Sequence, residues 1–187
     1  MTQQFDFTNT TLEGLKIVQR KAIEDLRGYL CRVYCAKDFA EQGFNKSVSQ
    51  INQTLTYQKG SVRGLHYQFM PHTEIKLVSC VKGEIFDVAV DIRKGSSTFL
   101  KWHSEVLSEK NQKSILIPEG FAHGFQSLTD NCELLYLHSS HYEKDSEAAL
   151  NINDPRLAIT FPLSITDISE RDRSHPYIDK NFEGVIL

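Results

Sequence analysis

The chain has 187 residues with a formal net charge of -3 at pH 7, and 40% of its residues are hydrophobic. This length and composition suffice for one sizeable hydrophobic core, so we expect one domain over residues 1–187. The nearly balanced charge disfavours a nucleic-acid or membrane-surface partner, and the N-terminus has no basic segment before an apolar run, so we expect a cytoplasmic protein.

The N-terminal third contains short apolar segments and one weak helical pattern. Apolar runs at residues 15–18 and 30–33 predict outer strands or a subunit contact. KDFAEQGF, at residues 37–44, has the pattern of one or two helical turns. The cysteines at positions 31, 35, 80 and 132 form no CxxC pair, so we interpret them as free, mostly buried thiols.

RGLHYQ, at residues 63–68, brings an arginine and a histidine close together in one apparent strand. Side chains alternate between the two faces of a strand, which places Arg63 on one face and His66 on the other. Gly64 could change this arrangement by introducing a bulge or bend. Alternation alone therefore leaves open whether both side chains reach one site.

Two strand-rich units follow. In KLVSCVKGEIFDVAVDI, residues 76–92, Lys82 and Gly83 predict a hairpin turn, and the apolar residues of 86–90 alternate with Asp87, Ala89 and Asp91. This pattern predicts one packed face and one charged face, with structural roles for both aspartates. The second unit covers residues 113–140, with turns at 118–120 and 130–131, and DSEAALN at 145–151 predicts a further short helix. Short strands with these turns predict an all-β sandwich or barrel of the jelly-roll type, with a few short helices.

Several polar side chains interrupt the apolar strands, namely His66, Lys76, His123 and Tyr136. Because a buried polar group needs a partner, each of them is a candidate functional residue. The remaining histidines lie in polar stretches, and we expect them at the surface: His72, His103, His138, His141 and His175.

A metal site is one alternative. The spacing from Gly60 to His66, and PxGxxH at residues 118–123, resemble the two motifs of metal-binding cupins. The second histidine of the HxH pattern is replaced by Gln68, and Glu74 stands at the wrong interval for the carboxylate ligand. One imidazole ligand is therefore missing, and we expect no catalytic metal.

Eight segments together resemble the dTDP-4-dehydrorhamnose 3,5-epimerase family of metal-free cupins. They are DLRG (25–28), QINQT (50–54), RGLHYQ (63–68), KLV (76–78), GEIFDVAVDIRKGSSTF (83–99), IPEGFAHGF (117–125), ELLY (133–136) and ISERDR (168–173). The resemblance implies a cupin-type jelly roll, a nucleotide-linked 4-keto-6-deoxy sugar as substrate, no cofactor, and a homodimer in which N-terminal segments reach the partner.

The resemblance also implies roles for individual residues. His66 corresponds to the base that removes a proton from the sugar, Asp172 to its carboxylate partner, Tyr136 to the proton donor, and Lys76 to a lysine near the keto group. The residues that match substrate-binding positions are Arg27, Gln50, Asn52, Arg63, His123, Glu147 and Arg171. Arg32 stands where many members carry a glutamate near the nucleotide pocket, which bears on nucleotide or sugar preference.

The leading hypothesis is an epimerase that inverts C3 and C5 of a dTDP-4-keto-6-deoxyhexose. A relative that inverts only C3, or a 3,4-ketoisomerase, would use the same base and acid. A metal-dependent cupin enzyme and a non-catalytic sugar-nucleotide binding module are more distant alternatives. Binding alone does not require the acid–base set of His66, Asp172, Lys76 and Tyr136.

Overall fold

The computed structural model describes residues 4–187, and strands dominate this part of the chain. The strands are β1 (Phe5–Asn9), β2 (Lys16–Arg20), β3 (Ala22–Asp25), β4 (Gly28–Cys31), β5 (Gln50–Thr56), β6 (Ser61–Gln68), β7 (Lys76–Lys82), β8 (Glu84–Asp91), β9 (Trp102–Ser108), β10 (Lys113–Ile117), β11 (Phe121–Ser127), β12 (Cys132–His138), β13 (Glu147–Ala149) and β14 (Asp167–Ile168).

Helices are few and short. They are α1 (Ala36–Ala40), a 3-10 helix (Lys144–Ser146) and α2 (Glu170–Ser174). The helix predicted at residues 37–44 is therefore present but ends early. The one predicted at 145–151 is wrong beyond its first residues, because 147–149 pair with β6 as strand β13.

Two sheets form the body of the molecule. One has the strand order β1-β2-β10-β7-β12-β5, and the other has the order β13-β6-β11-β8-β9, with β14 added parallel to β6. The chain passes between the sheets at almost every connection from β5 to β13, as in a jelly roll. The expected all-β jelly roll is confirmed.

The two sheets enclose one apolar core. Side chains from both sheets contribute to it, including Val78 and Ile115 from one sheet and Ile85 and Phe125 from the other. Tyr136 packs against this core from its edge. The apolar contacts hold the sheets face to face, and they leave polar side chains of β6, β7, β11 and β12 around a cavity between them.

The outer faces of both sheets are covered as well. Residues from α1 and the following loop, Phe39 and Phe44, pack on one sheet, while Leu150, Leu157 and Val185 of the C-terminal third pack on the other. The predicted alternation in β8 is present, but both of its faces are buried, and Asp87 and Asp91 are fully inaccessible to solvent. The C-terminal segment covers the apolar face of β8, so its charged face points into the sandwich.

The β3–β4 hairpin stands apart from the two main sheets and pairs only with itself within the described residues. It exposes Ile23, Leu26, Tyr29 and Leu30. All four cysteines are free, with Cys80 and Cys132 buried and the other two partly exposed. No helix within residues 4–187 is long and apolar enough to cross a membrane.

Candidate active site

A cavity of about 260 Å³ lies between the two sheets. The residues predicted from the sequence that line it are Gln50, Asn52, Arg63, His66, Lys76, His123, Tyr136 and Glu147. Asp172 and Arg171 line an adjoining hollow, which shares Arg63 and His66 with the cavity. Side chains far apart in sequence thus meet in one place because β5, β7 and β12 supply one wall and β6 and β11 supply the other.

A bulge in β6 brings Arg63 and His66 to the same face. His66 pairs with His123 of β11, and Arg63 pairs with Phe125, so three steps along β6 match two along β11. Because β6 has one extra residue here, the side chains of Arg63 and His66 point to the same face of the strand although they are three positions apart. Gly64 has φ +125°, and a Cβ atom there would lie 2.5 Å from the Cα of Gly124. Of the two arrangements that the sequence left open, the one with an irregularity at Gly64 is therefore present, and a second glycine permits the close approach of β11.

His66 is paired with a buried carboxylate. Its Nε2 lies 2.7 Å from Oδ1 of Asp172, whose Oδ2 accepts the Gly64 N–H at 3.2 Å. Burial opposes ionisation of Asp172, but these hydrogen bonds and the His66 charge outweigh it and lower its pKa. An ionised carboxylate only accepts hydrogen bonds, so Nε2 carries the proton and Nδ1 of neutral His66 keeps the lone pair.

A helix cap presents Asp172 to β6. Ser169 caps α2, and its hydroxyl accepts the backbone N–H of Asp172 at 3.0 Å. This satisfies the backbone of the first turn and leaves the Asp172 side chain free to reach the bulge. The dyad therefore depends on a short helix near the C-terminus that docks beside β6.

A second histidine–carboxylate pair lies deeper in the same wall. His123 Nε2 lies 2.8 Å from Oδ2 of Asp87, and both side chains are buried. The other oxygen of Asp87 has no hydrogen-bond partner among the described residues. The His123 ring meets the Tyr136 ring edge to face, with the centroids 6.1 Å apart. Asp87 thus holds the His123 ring against the phenol.

Tyr136 belongs to the opposite wall, on β12. Burial raises its pKa, and the nearby Asp87 carboxylate raises it further, against weaker opposing effects of Thr54 and Arg63. The phenol is therefore fully protonated at neutral pH. A protonated hydroxyl that faces a histidine base across a cavity can serve as a proton donor.

A buried chain of contacts joins Lys76 to Glu74 and His138, neither of which was predicted as a residue of this site. Lys76 Nζ lies 3.1 Å from Oε1 of Glu74, and Oε2 of Glu74 lies 2.7 Å from Nδ1 of His138. Lys76 also donates to the backbone carbonyl of His66 at 3.3 Å. The prediction that His138 is at the surface is wrong, because only 12% of its side chain is exposed. Its strand lies between β5 and β7, and its ring points into the cavity wall.

The mouth of the cavity carries charged and aromatic groups. Glu147 pairs with Arg171 at 2.5 Å and accepts a hydrogen bond from the Tyr142 hydroxyl at 2.8 Å. Gln50 accepts the Tyr142 backbone N–H. The Nε–H of Arg63 donates a hydrogen bond to the Thr56 hydroxyl at 3.1 Å. These contacts leave an exposed tyrosine ring and a guanidinium at the entrance.

Two predicted site residues lie elsewhere. Arg27 is at the tip of the β3–β4 hairpin, where it pairs with Asp25, and its side chain is exposed. Arg32 follows β4 and is also exposed. Neither lines the cavity or the adjoining hollow of this chain.

The donor set of the cavity matches acid–base chemistry better than metal ligation. Each of its three histidines, His66, His123 and His138, is hydrogen-bonded to its own carboxylate. Gln68 donates to the backbone carbonyls of His72 and His141. Within residues 4–187, no group of three or more His, Cys, Asp or Glu side chains is arranged to hold a metal ion.

Comparison with known proteins is consistent along nearly the whole chain. Residues 9–180 match the family model of dTDP-4-dehydrorhamnose 3,5-epimerase. The enzyme of that name from Methanothermobacter thermautotrophicus is 37% identical over 95% of this chain and 97% of its own length. The Shigella flexneri enzyme is also 37% identical, over 92% of this chain and 96% of its own.

Solved structures agree. A 3,5-epimerase from Legionella pneumophila, in complex with dTDP-4-keto-L-rhamnose, superposes with a TM-score of 0.90 at 38% identity and covers 97% of this chain and 98% of its own. A 3'-monoepimerase from Streptomyces bikiniensis, in complex with dTDP-quinovose, has a TM-score of 0.83 at 31% identity, with 90% and 85% covered. Family model, relatives and fold lead to the same conclusion: the chain belongs to the dTDP-4-dehydrorhamnose 3,5-epimerase family.

Proposed function

We propose that this protein is an epimerase that inverts C3 and C5 of dTDP-4-dehydro-6-deoxy-D-glucose to give dTDP-4-dehydro-L-rhamnose, without a cofactor. His66 acts as the base, Asp172 orients it, Lys76 stabilises the intermediate, and Tyr136 donates a proton to the opposite face of the carbon. The observation that carries the proposal is the position of His66 and Tyr136 on facing sheets, as opposite walls of one cavity.

The chemistry of a 4-keto sugar suits this arrangement. The ketone acidifies the hydrogens on both neighbouring carbons, because the electrons of a broken C–H bond can delocalise onto the C4 oxygen as an enolate. His66 Nδ1 takes the proton, and the Asp172 carboxylate stabilises the imidazolium that forms. Tyr136 then donates its hydroxyl proton to form the new C–H bond from the other side, which inverts the carbon, and proton exchange with water restores neutral His66 and the Tyr136 hydroxyl. No change of oxidation state occurs in either step.

Lys76 supplies the positive charge that the enolate needs. It is buried, with 6% of its surface accessible, and it lines the same cavity as the two proton-transfer groups. One well-placed donor to a developing oxyanion lowers the barrier by about 3 to 4 kcal/mol in comparable sites. Rotation of the sugar within the cavity would present C3 and C5 in turn to the same groups.

The mouth of the cavity suits the nucleotide end of the substrate. Arg63 offers a guanidinium fork to phosphate oxygens, with Arg171 as a second positive charge. The exposed Tyr142 ring offers a face on which the nucleobase of the substrate can stack. Gln50, Asn52, His123 and Glu147 provide further hydrogen-bonding groups along the path to the sugar.

Inversion of C3 alone is the second candidate. It is favoured by the similarity to the Streptomyces bikiniensis 3'-monoepimerase, which is nearly as close in fold as the 3,5-epimerases. The two reactions use one base and one acid, and they differ in whether the sugar can turn to present C5.

Solvent deuterium incorporation tests the proposal. The purified protein would be incubated with dTDP-4-dehydro-6-deoxy-D-glucose in deuterated water, with His66→Ala as the control, and NMR would follow C3 and C5. Deuterium at both carbons, lost in the variant, is the expected result. Deuterium at C3 alone would support the 3-epimerase. Absence of exchange at both carbons would refute catalysis of this reaction.

We further propose that the protein is a homodimer in a reducing compartment, the cytoplasm. The exposed apolar side chains of the β3–β4 hairpin and Ile51 of β5 support a subunit contact. Such a contact would carry Arg27 and Arg32 toward the cavity of the partner. The four free thiols support the compartment.

A further inference from the structure

Glu74 and His138 form a unit that the proposed reaction does not yet use. Glu74 is the only described carboxylate that contacts Lys76 within ion-pair distance, and its two oxygens are divided between Lys76 Nζ at 3.1 Å and His138 Nδ1 at 2.7 Å. Side chains of Glu74, Lys76 and His138 are 10%, 7% and 12% exposed, so solvent does not compete strongly for these bonds. The three side chains therefore form one buried chain of contacts, in the order Lys76, Glu74, His138.

The protonation of the unit follows from its geometry. Burial opposes ionisation of Glu74, yet Lys76 and His138 lower its pKa to about 2. An ionised carboxylate accepts only, so Nδ1 of His138 must donate. In neutral His138, Nε2 then keeps the lone pair, and Asn52 Nδ2 lies 3.5 Å away on that side. The orientation of the His138 ring is therefore set at both nitrogens.

The unit also touches the proton donor. The His138 ring stacks on the Tyr136 ring with an interplanar angle of 15° and a centroid distance of 5.9 Å. His138 lies on β12 directly across from Lys76 on β7, two residues after Tyr136. One end of the unit is consequently at the ammonium, and the other end is beside the phenol.

We propose that Glu74 and His138 are positioning residues of this active site, where His138 acts through Glu74 to fix the Lys76 ammonium at the place where the enolate oxygen forms. This inference rests on the proposed function. A lysine side chain has four rotatable bonds, and an ammonium without a fixed partner in a buried wall loses both its direction and the group that compensates its charge. Glu74 supplies the compensation, and His138 keeps Glu74 from turning away.

The first experiment compares Glu74→Gln with a matched control. Glu133 of β12 pairs with Lys82 of β7 at the same 3.1 Å, and this pair lies outside the cavity. Glu74→Gln is expected to lower kcat about 10-fold, with KM changed less than about 2-fold, because the lost interaction acts on the enolate. Glu133→Gln is expected to leave both constants within about 2-fold. An unchanged or raised kcat in Glu74→Gln would overturn the proposal.

Two substitutions of His138 separate its hydrogen bond from its ring. His138→Asn can place an amide N–H where Nδ1 stands, and it is expected to keep kcat within about 3-fold. His138→Phe keeps a ring beside Tyr136 but removes the hydrogen-bond donor, and its kcat is expected to fall about as far as that of Glu74→Gln. The opposite order would show that His138 acts by packing on Tyr136 and would overturn the role through Glu74.

A measurement without turnover keeps this test independent of the proposed function. Nitrogen-15 NMR of the His138 ring is expected to show a protonated Nδ1 in the wild type and a shift in the tautomer equilibrium in Glu74→Gln. A wild-type ring with a bare Nδ1 would overturn the inference even if the enzyme turns over. Failure of the wild type to exchange deuterium would instead refute the proposed reaction, while the NMR result would still stand.

Discussion

The Asp172 carboxylate joins the side chain of His66 to the backbone of the bulge beside it. One oxygen lies 2.7 Å from His66 Nε2, and the other accepts the Gly64 N–H. The orientation of the proposed base and the shape of β6 are therefore maintained by one group, and that group arrives from a helix 106 residues later in the chain.

Asp172→Asn tests the orientation of the base. The amide can donate to His66 and favour the tautomer with a proton on Nδ1, so we expect kcat to fall by about 10²- to 10⁴-fold with a small change in KM. Steady-state kinetics on the keto sugar would measure this. Asp6→Asn is the control, because Asp6 pairs with Lys21 at the surface. A loss below 10-fold would contradict the role of Asp172.

Tyr136→Phe tests the proton donor. The substitution removes only the hydroxyl, so the ring contacts with His123 and His138 remain, and we expect product formation to fall by about 10²- to 10³-fold. Deuterium should still exchange with retained configuration, because His66 can remove and return a proton on its own side. Tyr34→Phe is the control, because Tyr34 packs on Phe39 and Phe44 on the outer face of a sheet, away from the cavity. Normal inversion by Tyr136→Phe would assign the acid to another group.

Gly64→Ala tests the close approach at the bulge. The new Cβ would lie 2.5 Å from the Gly124 Cα, so β6 and β11 must separate, and we expect a loss of roughly 2 to 4 kcal/mol in the free energy of unfolding together with loss of activity. Gly43→Ala separates sterics from backbone strain, because Gly43 also has positive φ but nothing lies within 4 Å of its Cβ position. The positive φ alone should lower the free energy of unfolding by roughly 1 to 2 kcal/mol in Gly43→Ala. Equal effects in urea denaturation would contradict the steric explanation.

Glu74 gives a prediction for acid stability. Its pKa is about 2 in the folded protein against an ordinary value of 4.5, so the unfolded chain binds this proton first as the pH falls. The contribution is fully present above pH 4.5, is lost progressively toward pH 2, and amounts to roughly 2 to 4 kcal/mol at neutral pH. The stability difference between wild type and Glu74→Gln should therefore shrink by about 2 kcal/mol between pH 7 and pH 3.

Urea denaturation at both pH values would measure that difference. Glu183→Gln is the control, since Glu183 forms an exposed pair with Lys94 and should show little of this dependence. A difference that is independent of pH would contradict the low pKa of Glu74.

The hairpin gives a prediction for assembly. Leu26 is completely exposed in the single chain and sits next to Arg27. If the hairpin enters a subunit contact, Leu26→Asp should shift the protein toward monomer in sedimentation velocity experiments and raise KM, because Arg27 would be withdrawn from the partner's cavity. Lys37→Asp on the exposed side of α1 is the control. A variant that stays in the same oligomeric state as the wild type would remove the hairpin from the interface.

The sequence predicted the strands and the jelly roll because alternation and turn residues are local signals. It did not predict the burial of Asp87, because residues 150–185, which have no periodic pattern, cover the apolar face of β8 and the charged face therefore points into the sandwich. The pairing of Glu74 with His138 was also missed. These residues are 64 positions apart, and their contact depends on β7 and β12 being neighbours. The exposed position of Arg27 was not predicted either. It lies at the tip of a hairpin that is separate from the two main sheets, and no local sequence pattern indicates where such a hairpin packs.

The extra residue in β6 shifts the strand from one side-chain register to the other. Before the shift, the strand presents a guanidinium suited to phosphate, and after it, the strand presents the proposed base. A regular strand could direct only one of these into the cavity. Substrate anchoring and proton abstraction thus depend on a single offset in one strand, because Arg63 and His66 are three residues apart and only an irregular strand can turn both side chains to the same face.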